Sequence, residues 1–321
     1  FFFYHIIRKR GLNKVRIFDA HSDALYKLWM DPTLSFYNDE QLHTNFIHLQ
    51  ATGTKNIQCF AIYIPSHIHE QARFQVALEM LDIFYEKVMT YKGMKLILSK
   101  ADALTLKQNE IGAMLTLEGC DAIGQDLIRL KTLYRLGVRS VGLTWNNANA
   151  VADGILEPRG AGITSFGKQV ITFNNQHKLW TDVSHLSEKA FWDVIELAYY
   201  PIASHSNAKN LSPHVRNLSD NQIRALIEKN GMIGVTFVPE FLQEQGKATI
   251  YDVIRHVDYI CSLGGENHIG FGSDFDGIEK TPQKLFNYSY YSILINELLK
   301  TFNEKIVKKI LFYNFVNKIF F

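Results

Sequence analysis

Short, nearly continuous runs of apolar residues recur along the 321-residue chain, and amphipathic segments lie between most of them. The apolar runs stand at 15–20, 57–64, 111–117, 140–144, 179–184, 201–204, 232–238 and 269–273. Segments with helical periodicity stand at 69–89, 126–135, 166–175, 187–198, 220–229 and 250–263. Strands without polar alternation, interleaved with helices, favour a parallel sheet that is buried on both faces.

The number of apolar runs decides between fold classes. Eight parallel strands predict closure into a (β/α)8 barrel, the TIM-barrel fold, and an open doubly wound sheet is the alternative. No Pro/Gly-rich linker, low-complexity segment or solenoid-length repeat interrupts the pattern. We therefore expect one domain over 1–321, in which 282–321 forms two helices that close the barrel after its last strand.

Composition and charge limit the binding partners and the cellular compartment that we expect for the protein. The formal net charge of +2 gives no basis for a nucleic-acid or membrane surface. Three cysteines provide no disulfide framework and suit a reducing compartment, so we expect a cytoplasmic protein. The apolar run 1–7 precedes its basic residues, unlike a secretory signal, and no apolar stretch is long enough to span a bilayer.

Ionisable residues concentrate at the predicted strand ends. In a parallel barrel these ends meet at one mouth, which is where catalytic residues stand. The residues in question, from the first, third, fifth, sixth and eighth strands, are Asp19, His21, Asp23, Glu118, Asp182, His185, His205, Asp274 and Asp276. The pattern predicts a cluster of them at this mouth.

Two carboxylates and one histidine are candidate metal ligands. His21 and Asp23 are two residues apart, so both leave an extended chain on one side, although Asp23 is alternatively a helix cap. Glu118 ends an apolar run, where a carboxylate is costly unless it is paired or metal-bound. Its two oxygens can bridge two cations; a salt bridge to Arg139 or Arg159 is the alternative.

His185 and His205 strengthen the metal hypothesis, because each ends an apolar run beside serines that can orient the ring through its second nitrogen. For either residue alone, a hydrogen-bonded structural histidine is the alternative. Three histidines and two carboxylates suit zinc better than magnesium or calcium, while manganese, cobalt or iron accept the same donors.

Two further residues have candidate roles in catalysis and binding. Asp274, in the run GFGSDFDG at 270–277, can accept a proton from a metal-bound water. Asp276 begins an Asp-Gly turn, and we assign it to structure. Arg216, on the loop after the sixth strand, can grip a carboxylate with its guanidinium fork. A solvated loop charge is the alternative, and spacing does not decide between the two.

The motifs together resemble the zinc-dependent membrane (renal) dipeptidases and their bacterial relatives, which belong to the amidohydrolase-like metal-dependent hydrolases. The matching segments, in family order, are FDAHSD at 18–23, LTLEG at 115–119, LTWNNANAVADG at 143–154, GITSFG at 162–167, DVSHLSEKAFWDV at 182–194, IASHSNA at 202–208, RNLSD at 216–220 and GFGSDFDG at 270–277. The resemblance implies two Zn²⁺ per subunit, one held by His21, Asp23 and Glu118 and the other by Glu118, His185 and His205.

The resemblance also implies roles for the remaining candidates. Asp274 matches the acid that transfers protons, and Arg216 the residue that binds the substrate carboxylate. The mammalian members have a carbonyl-polarising histidine where this chain has Trp145, so Asn146 or Asn149 is a candidate substitute. Trp145 followed by Asn146 resembles the bacterial branch of the family.

The implied reaction is hydrolysis of dipeptides, including those with a C-terminal D-residue, by a hydroxide held between two metals. A homodimer is the family's usual assembly. A related amidohydrolase, such as an N-acyl-amino-acid deacetylase or a lactonase, is the main alternative. A thiol hydrolase that uses Cys120, and a barrel that serves only as a non-catalytic scaffold, are the others.

Overall fold

The computed structural model describes residues 15–53, 55–245 and 247–321. The N-terminal run considered as a secretory signal therefore lies outside the described residues. Within them, nine strands form one parallel sheet. They are β1 Ile17–Asp19, β2 Asn56–Tyr63, β3 Met94–Leu96, β4 Ile111–Glu118, β5 Val138–Gly142, β6 Trp180–Asp182, β7 Pro201–Ala203, β8 Met232–Val235 and β9 Ile269–Phe271.

The sheet closes on itself. β1 pairs with both β2 and β9, and β2 pairs with β4 along its whole length, so β1, β2 and β4 to β9 make the ring. The predicted (β/α)8 barrel is confirmed, with each predicted apolar run in one ring strand. β3 lies outside the ring and was not predicted. It pairs with the first residues of β4, whereas β5 pairs with the last ones.

Helices surround the ring. They are α1 Ala24–Met30, α2 Phe46–Ala51, α3 Glu70–Ile83, α4 Lys100–Thr105, α5 Leu127–Arg135, α6 Ser165–Gln176, α7 Glu188–Leu197, α8 Asp220–Glu228, α9 Pro239–Leu242, α10 Ile250–Ser262, α11 Tyr291–Thr301, α12 Glu304–Lys308 and α13 Asn314–Asn317. π-helical turns at Phe84–Val88 and Lys309–Tyr313 extend α3 and join α12 to α13. Each predicted helical segment between the strands contains a helix, while α1, α2, α4 and α9 lie outside the predicted segments.

The helix starts follow from their capping residues. The hydroxyl of Ser187 accepts a hydrogen bond from the backbone N–H of Ala190 at the start of α7. Ser219 and Gln222 bond reciprocally at the start of α8, which is a capping box. Serine caps satisfy N–H groups that have no partner within the helix, and this sets where α7 and α8 leave the barrel rim.

The C-terminal helices close one mouth of the barrel, and the structure forms three of them where the pattern in 282–321 predicted two. Phe315, on α13, stacks on Phe18 inside the barrel with ring centroids 4.9 Å apart. The indole of Trp180 donates to the Lys318 carbonyl at 2.7 Å. This apolar plug fills the N-terminal mouth, so polar chemistry is confined to the opposite mouth. No helix in the described ranges is both long and apolar enough to cross a membrane.

Candidate active site

A cavity of about 460 Å³ opens at the C-terminal mouth of the barrel. The predicted site residues that line it are Asp23, Glu118, Trp145, Asn146, His185, Arg216 and Asp274. The remaining two, His21 and His205, are buried beneath it against Glu118. The structure thus brings these nine residues together, whereas three other candidates, Asp19, Asn149 and Asp182, do not line the cavity.

Glu118 stands at the centre of the cluster. Its Oε2 lies 3.6 Å from Nε2 of His21. Its Oε1 lies 3.0 Å from Nε2 of His185 and 3.7 Å from Nε2 of His205. Each carboxylate oxygen therefore faces a different set of histidines, which is the geometry of a bridging ligand. Arg139 and Arg159 bond elsewhere, to backbone carbonyls and to Asp153 respectively.

The end of β1 supplies His21 and Asp23, whose Nε2 and Oδ2 lie 3.4 Å apart. Although Asp23 precedes α1, its side chain makes no capping hydrogen bond, so the alternative role as a cap is not supported. Asp19, the last residue of β1, accepts from the Ser273 N–H at 2.8 Å and from the Tyr291 hydroxyl at 3.0 Å. Asp19 therefore links β1 to the loop after β9 and to α11 rather than facing the cavity.

His185 and His205 face each other across the cluster with their Nε2 atoms 2.8 Å apart. Nδ1 of His185 bonds Oδ1 of Asn146 at 2.9 Å, and Nδ1 of His205 bonds the Ser204 hydroxyl at 2.7 Å. A serine orients His205 as predicted. For His185 the prediction of an adjacent serine was wrong, because Ser184 bonds Asp182 instead.

Asp274 approaches the cluster from the loop after β9. Its Oδ1 lies 3.9 Å from Nε2 of His21. A Cβ at Gly277 would collide with Oδ2 of Asp23 and Oδ1 of Asp274, so only glycine lets the loop come this close. Asp276 instead accepts from the backbone N–H groups of His43 and Thr44 and holds that loop, consistent with the structural role expected for it.

Charge in the site is divided between two zones. In the first, burial opposes the ionisation of Glu118 and His21, yet each stabilises the other. The charge of His21, with help from His185, holds the pKa of Glu118 well below its usual value, while Glu118 and Asp23 raise the pKa of His21 well above normal. In the second zone, burial lowers the pKa of His185 to about 4 and that of His205 well below normal. Both of these rings are neutral and can offer a lone pair to a cation.

Asp274 has the opposite tendency to Glu118. Burial raises the pKa of Asp274 well above its usual value, and the charges of Asp23 and Glu118 add to this while His21 opposes it. A carboxyl group with a raised pKa that faces a cavity is a candidate for proton transfer.

The residues fit a metal centre. In the part of the chain that the structure describes, Nε2 of His21 and Oδ1 of Asp23 are buried without a hydrogen-bond partner. Burying such atoms is costly unless they bind a cation. His21, Glu118 and His205 offer ligand atoms within 4.8 Å of one another, as do His21, Asp23 and Asp274. Imidazole with carboxylate is a donor set suited to zinc and its neighbours.

Arg216 is only 6% exposed and is therefore not a solvated loop charge. Its Nη2 donates weakly to the His205 carbonyl at 3.4 Å, and its Nε has no partner among the described residues. Burial lowers the pKa of this guanidinium to about 10, against the attraction of Asp274 and Glu118. A buried fork with free donors at the cavity wall is suited to bind an anionic group.

The positions near Trp145 differ in what they face. Trp145 lines the cavity, and its ring centroid lies 5.1 Å from that of Tyr63. The side-chain amide of Asn149 donates to Asp121 and to the Leu143 carbonyl, and its oxygen accepts from the Val151 N–H. Its donors and its acceptor therefore all have partners within the chain. Asn149 is therefore a poor substitute for a carbonyl-polarising group.

Cys120 is buried and donates to the Gly142 carbonyl at 3.5 Å. Burial raises the pKa of this thiol. A thiol that stays protonated and has no access to the cavity is not a nucleophile. The hypothesis of a thiol hydrolase is therefore not supported by the geometry.

A parallel barrel with histidines and carboxylates gathered at the C-terminal ends of its strands defines the class of amidohydrolase-like metal-dependent hydrolases. Within this class, the family model of the membrane dipeptidases, peptidase family M19, matches residues 8–319, and the chain belongs to that family. It is accordingly a metallo-dipeptidase, as its motifs predicted.

Individual relatives agree with the family assignment. An uncharacterised protein from the region 5′ of pqqA in Klebsiella pneumoniae is 36% identical over 257 residues, which cover 74% of this chain and 94% of that protein. The crystal structure of dipeptidase AC, a metallo peptidase of family M19, has 29% identity and a TM-score of 0.87, covering 95% of this chain and 97% of that one. A metallo peptidase from Rhodobacter sphaeroides, liganded with a phosphinate mimic of the dipeptide L-Ala-D-Ala, has 28% identity and a TM-score of 0.87, covering 95% and 98%.

Proposed function

We propose that the chain is a binuclear zinc dipeptidase that hydrolyses dipeptides, including those with a C-terminal D-residue. The observation that carries the proposal is the placement of Glu118, whose two oxygens face different histidines. One metal position is assigned to His21, Asp23 and Glu118, and the other to Glu118, His185 and His205. When bound, the two metal ions would lower the pKa of a water so that hydroxide forms at neutral pH, and would polarise the scissile carbonyl.

The protein's own groups divide the remaining work. The carboxylate of Asp274, which reaches to 3.9 Å from His21 at the edge of the cluster, takes the proton of the attacking water and gives it to the departing amine. The Arg216 guanidinium binds the free carboxylate of the substrate and holds the peptide bond over the cluster. Trp145 forms part of the apolar wall, and Asn146 acts by fixing the ring of His185 rather than by touching the carbonyl.

Tolerance of a C-terminal D-residue is proposed from one relative. The Rhodobacter sphaeroides metallo peptidase was crystallised with a mimic of L-Ala-D-Ala. In this chain the cavity wall beside Arg216 contains three apolar residues, Val215, Val238 and Phe241, together with His214.

The test is a panel of small substrates assayed with and without a metal chelator. Matched L-L and L-D dipeptides should be hydrolysed, and activity should fall with chelator and return with zinc. N-acetyl amino acids and lactones should be poor substrates. Faster turnover of either of these than of every dipeptide would favour the related amidohydrolase instead, and an active protein that holds no metal would refute the zinc mechanism.

Three further properties are proposed on narrower grounds. All three cysteines are unpaired, which supports a cytoplasmic protein; a redox-sensitive reporter fused to the chain in its native cell tests this. We also expect a homodimer, and size-exclusion chromatography with light scattering should then give twice the mass of one chain. One domain over the whole chain predicts a single cooperative unfolding transition.

A further inference from the structure

Below the metal cluster, the side chain of Asp182 at the end of β6 lies against the end of β7. Its Oδ1 accepts from the backbone N–H groups of Ser184 at 3.1 Å and Ser204 at 2.9 Å, and from the Ser184 hydroxyl at 2.7 Å. Its Oδ2 faces the hydroxyl of Ser204, which in turn lies 2.7 Å from Nδ1 of His205. These contacts form a continuous path from a carboxylate, through a hydroxyl, to an imidazole.

The direction of every hydrogen bond on this path is determined by its first member. An ionised carboxylate can only accept, so the Ser204 hydroxyl must donate its hydrogen to Asp182. The Ser204 oxygen is then free to accept, which requires that Nδ1 of His205 carries the ring proton. Nε2 of His205 is consequently left with a lone pair, and this atom faces Glu118 and His185.

We propose that Asp182 is a positioning residue that acts through Ser204 to hold His205 in the tautomer able to bind the second metal ion. The proposal rests on the metal site proposed above. His185 reaches the same state by a different route, because the Asn146 carbonyl oxygen accepts from its Nδ1. The two histidines that share one metal position are therefore oriented through different partners, one by a neutral amide and the other by a carboxylate that acts through a hydroxyl. Their Nε2 lone pairs then face each other 2.8 Å apart, an arrangement that is favourable only when both atoms bind a cation.

A conservative substitution of Asp182 should be unusually harmful. In Asp182→Asn, the amide oxygen must take the place of Oδ1, because that position receives two backbone N–H groups. The amide nitrogen then faces Ser204 and donates to it. The Ser204 hydrogen turns toward Nδ1 of His205, and the ring proton moves to Nε2, where it blocks the metal. Ser204→Ala only leaves the Nδ1 proton without a partner, so its effect should be smaller.

The experiment titrates zinc into the metal-free protein in competition with a chromophoric chelator and counts tight sites. For wild type we expect two equivalents. Ser204→Ala should weaken one of them by roughly 10–100-fold and leave the other unchanged. Asp182→Asn should weaken the same one by more than about 100-fold, although its side chain has the same shape. Ser184→Ala is the matched control, because it removes the other hydroxyl on Asp182 but keeps the contacts of Ser204 with Asp182 and with Nδ1 of His205. The Ser184 hydroxyl also lies 3.2 Å from the Ser204 hydroxyl and accepts from the His205 N–H, so a small effect is expected, but it should be smaller than that of Ser204→Ala.

A second measurement does not depend on metal. The ¹⁵N chemical shifts of His205 in the metal-free protein at neutral pH should report a proton on Nδ1 in wild type and on Nε2 in Asp182→Asn. If the proton stays on Nδ1 in the variant, or if Asp182→Asn binds zinc better than Ser204→Ala, the relay is refuted while the metal site stands. If wild type binds no zinc, the metal site and the relay both fail.

Discussion

We expect the buried guanidinium of Arg216 to destabilise the folded protein and to serve in substrate binding. Burial lowers the pKa of Arg216 to about 10, which corresponds to about 3 kcal/mol by which the folded chain disfavours the cation. Its partners are one long hydrogen bond to a backbone carbonyl and the ring of Phe241, whose centroid lies 5.5 Å from Cζ. Neither contact neutralises the charge. Asp274 and Glu118 attract it, but no carboxylate of the described residues forms a direct ion pair with it, so we expect its partner to be the carboxylate of the substrate.

Arg216→Met removes the charge and keeps most of the side-chain volume. We expect the free energy of unfolding of the metal-free protein to rise by about 1–4 kcal/mol, because replacing an uncompensated buried charge by an apolar group is stabilising. For a dipeptide with a free carboxylate, kcat/KM should fall roughly 100-fold to 1,000-fold, as expected when a buried charge pair loses one partner. The same dipeptide with a C-terminal amide is a poor substrate of wild type and should be almost indifferent to the substitution.

Urea unfolding of the metal-free variants gives the first quantity, and steady-state kinetics on the paired substrates give the second. Arg216→Lys keeps the charge without the planar fork, so it should recover part of the activity and show no gain in stability. Arg224→Met, at an exposed position on α8, is the control and should change neither. A less stable Arg216→Met protein, or equal losses on the acid and the amide, would refute the reasoning.

Two other substitutions test the packing around the site and the pH dependence of stability. Gly277→Ala places a methyl group against the carboxylates of Asp23 and Asp274, so kcat should fall about 100-fold with the fold retained; an active variant with its full metal content would contradict this. Neutral His256 accepts from the Ala208 N–H and donates to the Leu242 carbonyl, and burial lowers its pKa to about 4. Because the pKa of His256 is lower in the folded than in the unfolded protein, its neutral ring stabilises the fold fully above about pH 6.5, and this stabilisation is lost as pH falls. In urea unfolding, the free energy of unfolding of wild type should therefore fall by about 2 kcal/mol more than that of His256→Gln between neutral pH and pH 5. Parallel pH profiles for the two proteins would exclude the effect.

The residues that the sequence predicted best are those whose position follows from strand direction alone. His21, Glu118, His185 and His205 each end an apolar run, and the carboxyl ends of parallel strands meet at one mouth. No knowledge of the loops was needed. β3 escaped prediction because it is three residues long and only its first residue is buried.

What the sequence could not indicate are contacts between chain segments whose relative position is set by packing. Asn146 orients His185 although 39 positions separate them, and only the approach of the two loops reveals it. Ser184 and Ser204 look equivalent beside their histidines, yet Ser184 turns to Asp182 because that carboxylate lies between the strand ends.

The chemistry depends in turn on the register of β4. Side chains alternate along a strand, so a slip of one residue would put Leu117 where Glu118 stands and remove the bridging carboxylate. Two features oppose such a slip. β2 and β4 pair without interruption from Asn56 and Ile111 to Tyr63 and Glu118. At Gly112, a Cβ would lie 2.8 Å from Cγ1 of Ile97, so neither Ile111 nor Ala113 can take this place without displacing the neighbouring side chains. The apolar packing at the start of β4 therefore fixes the position of the carboxylate at its end.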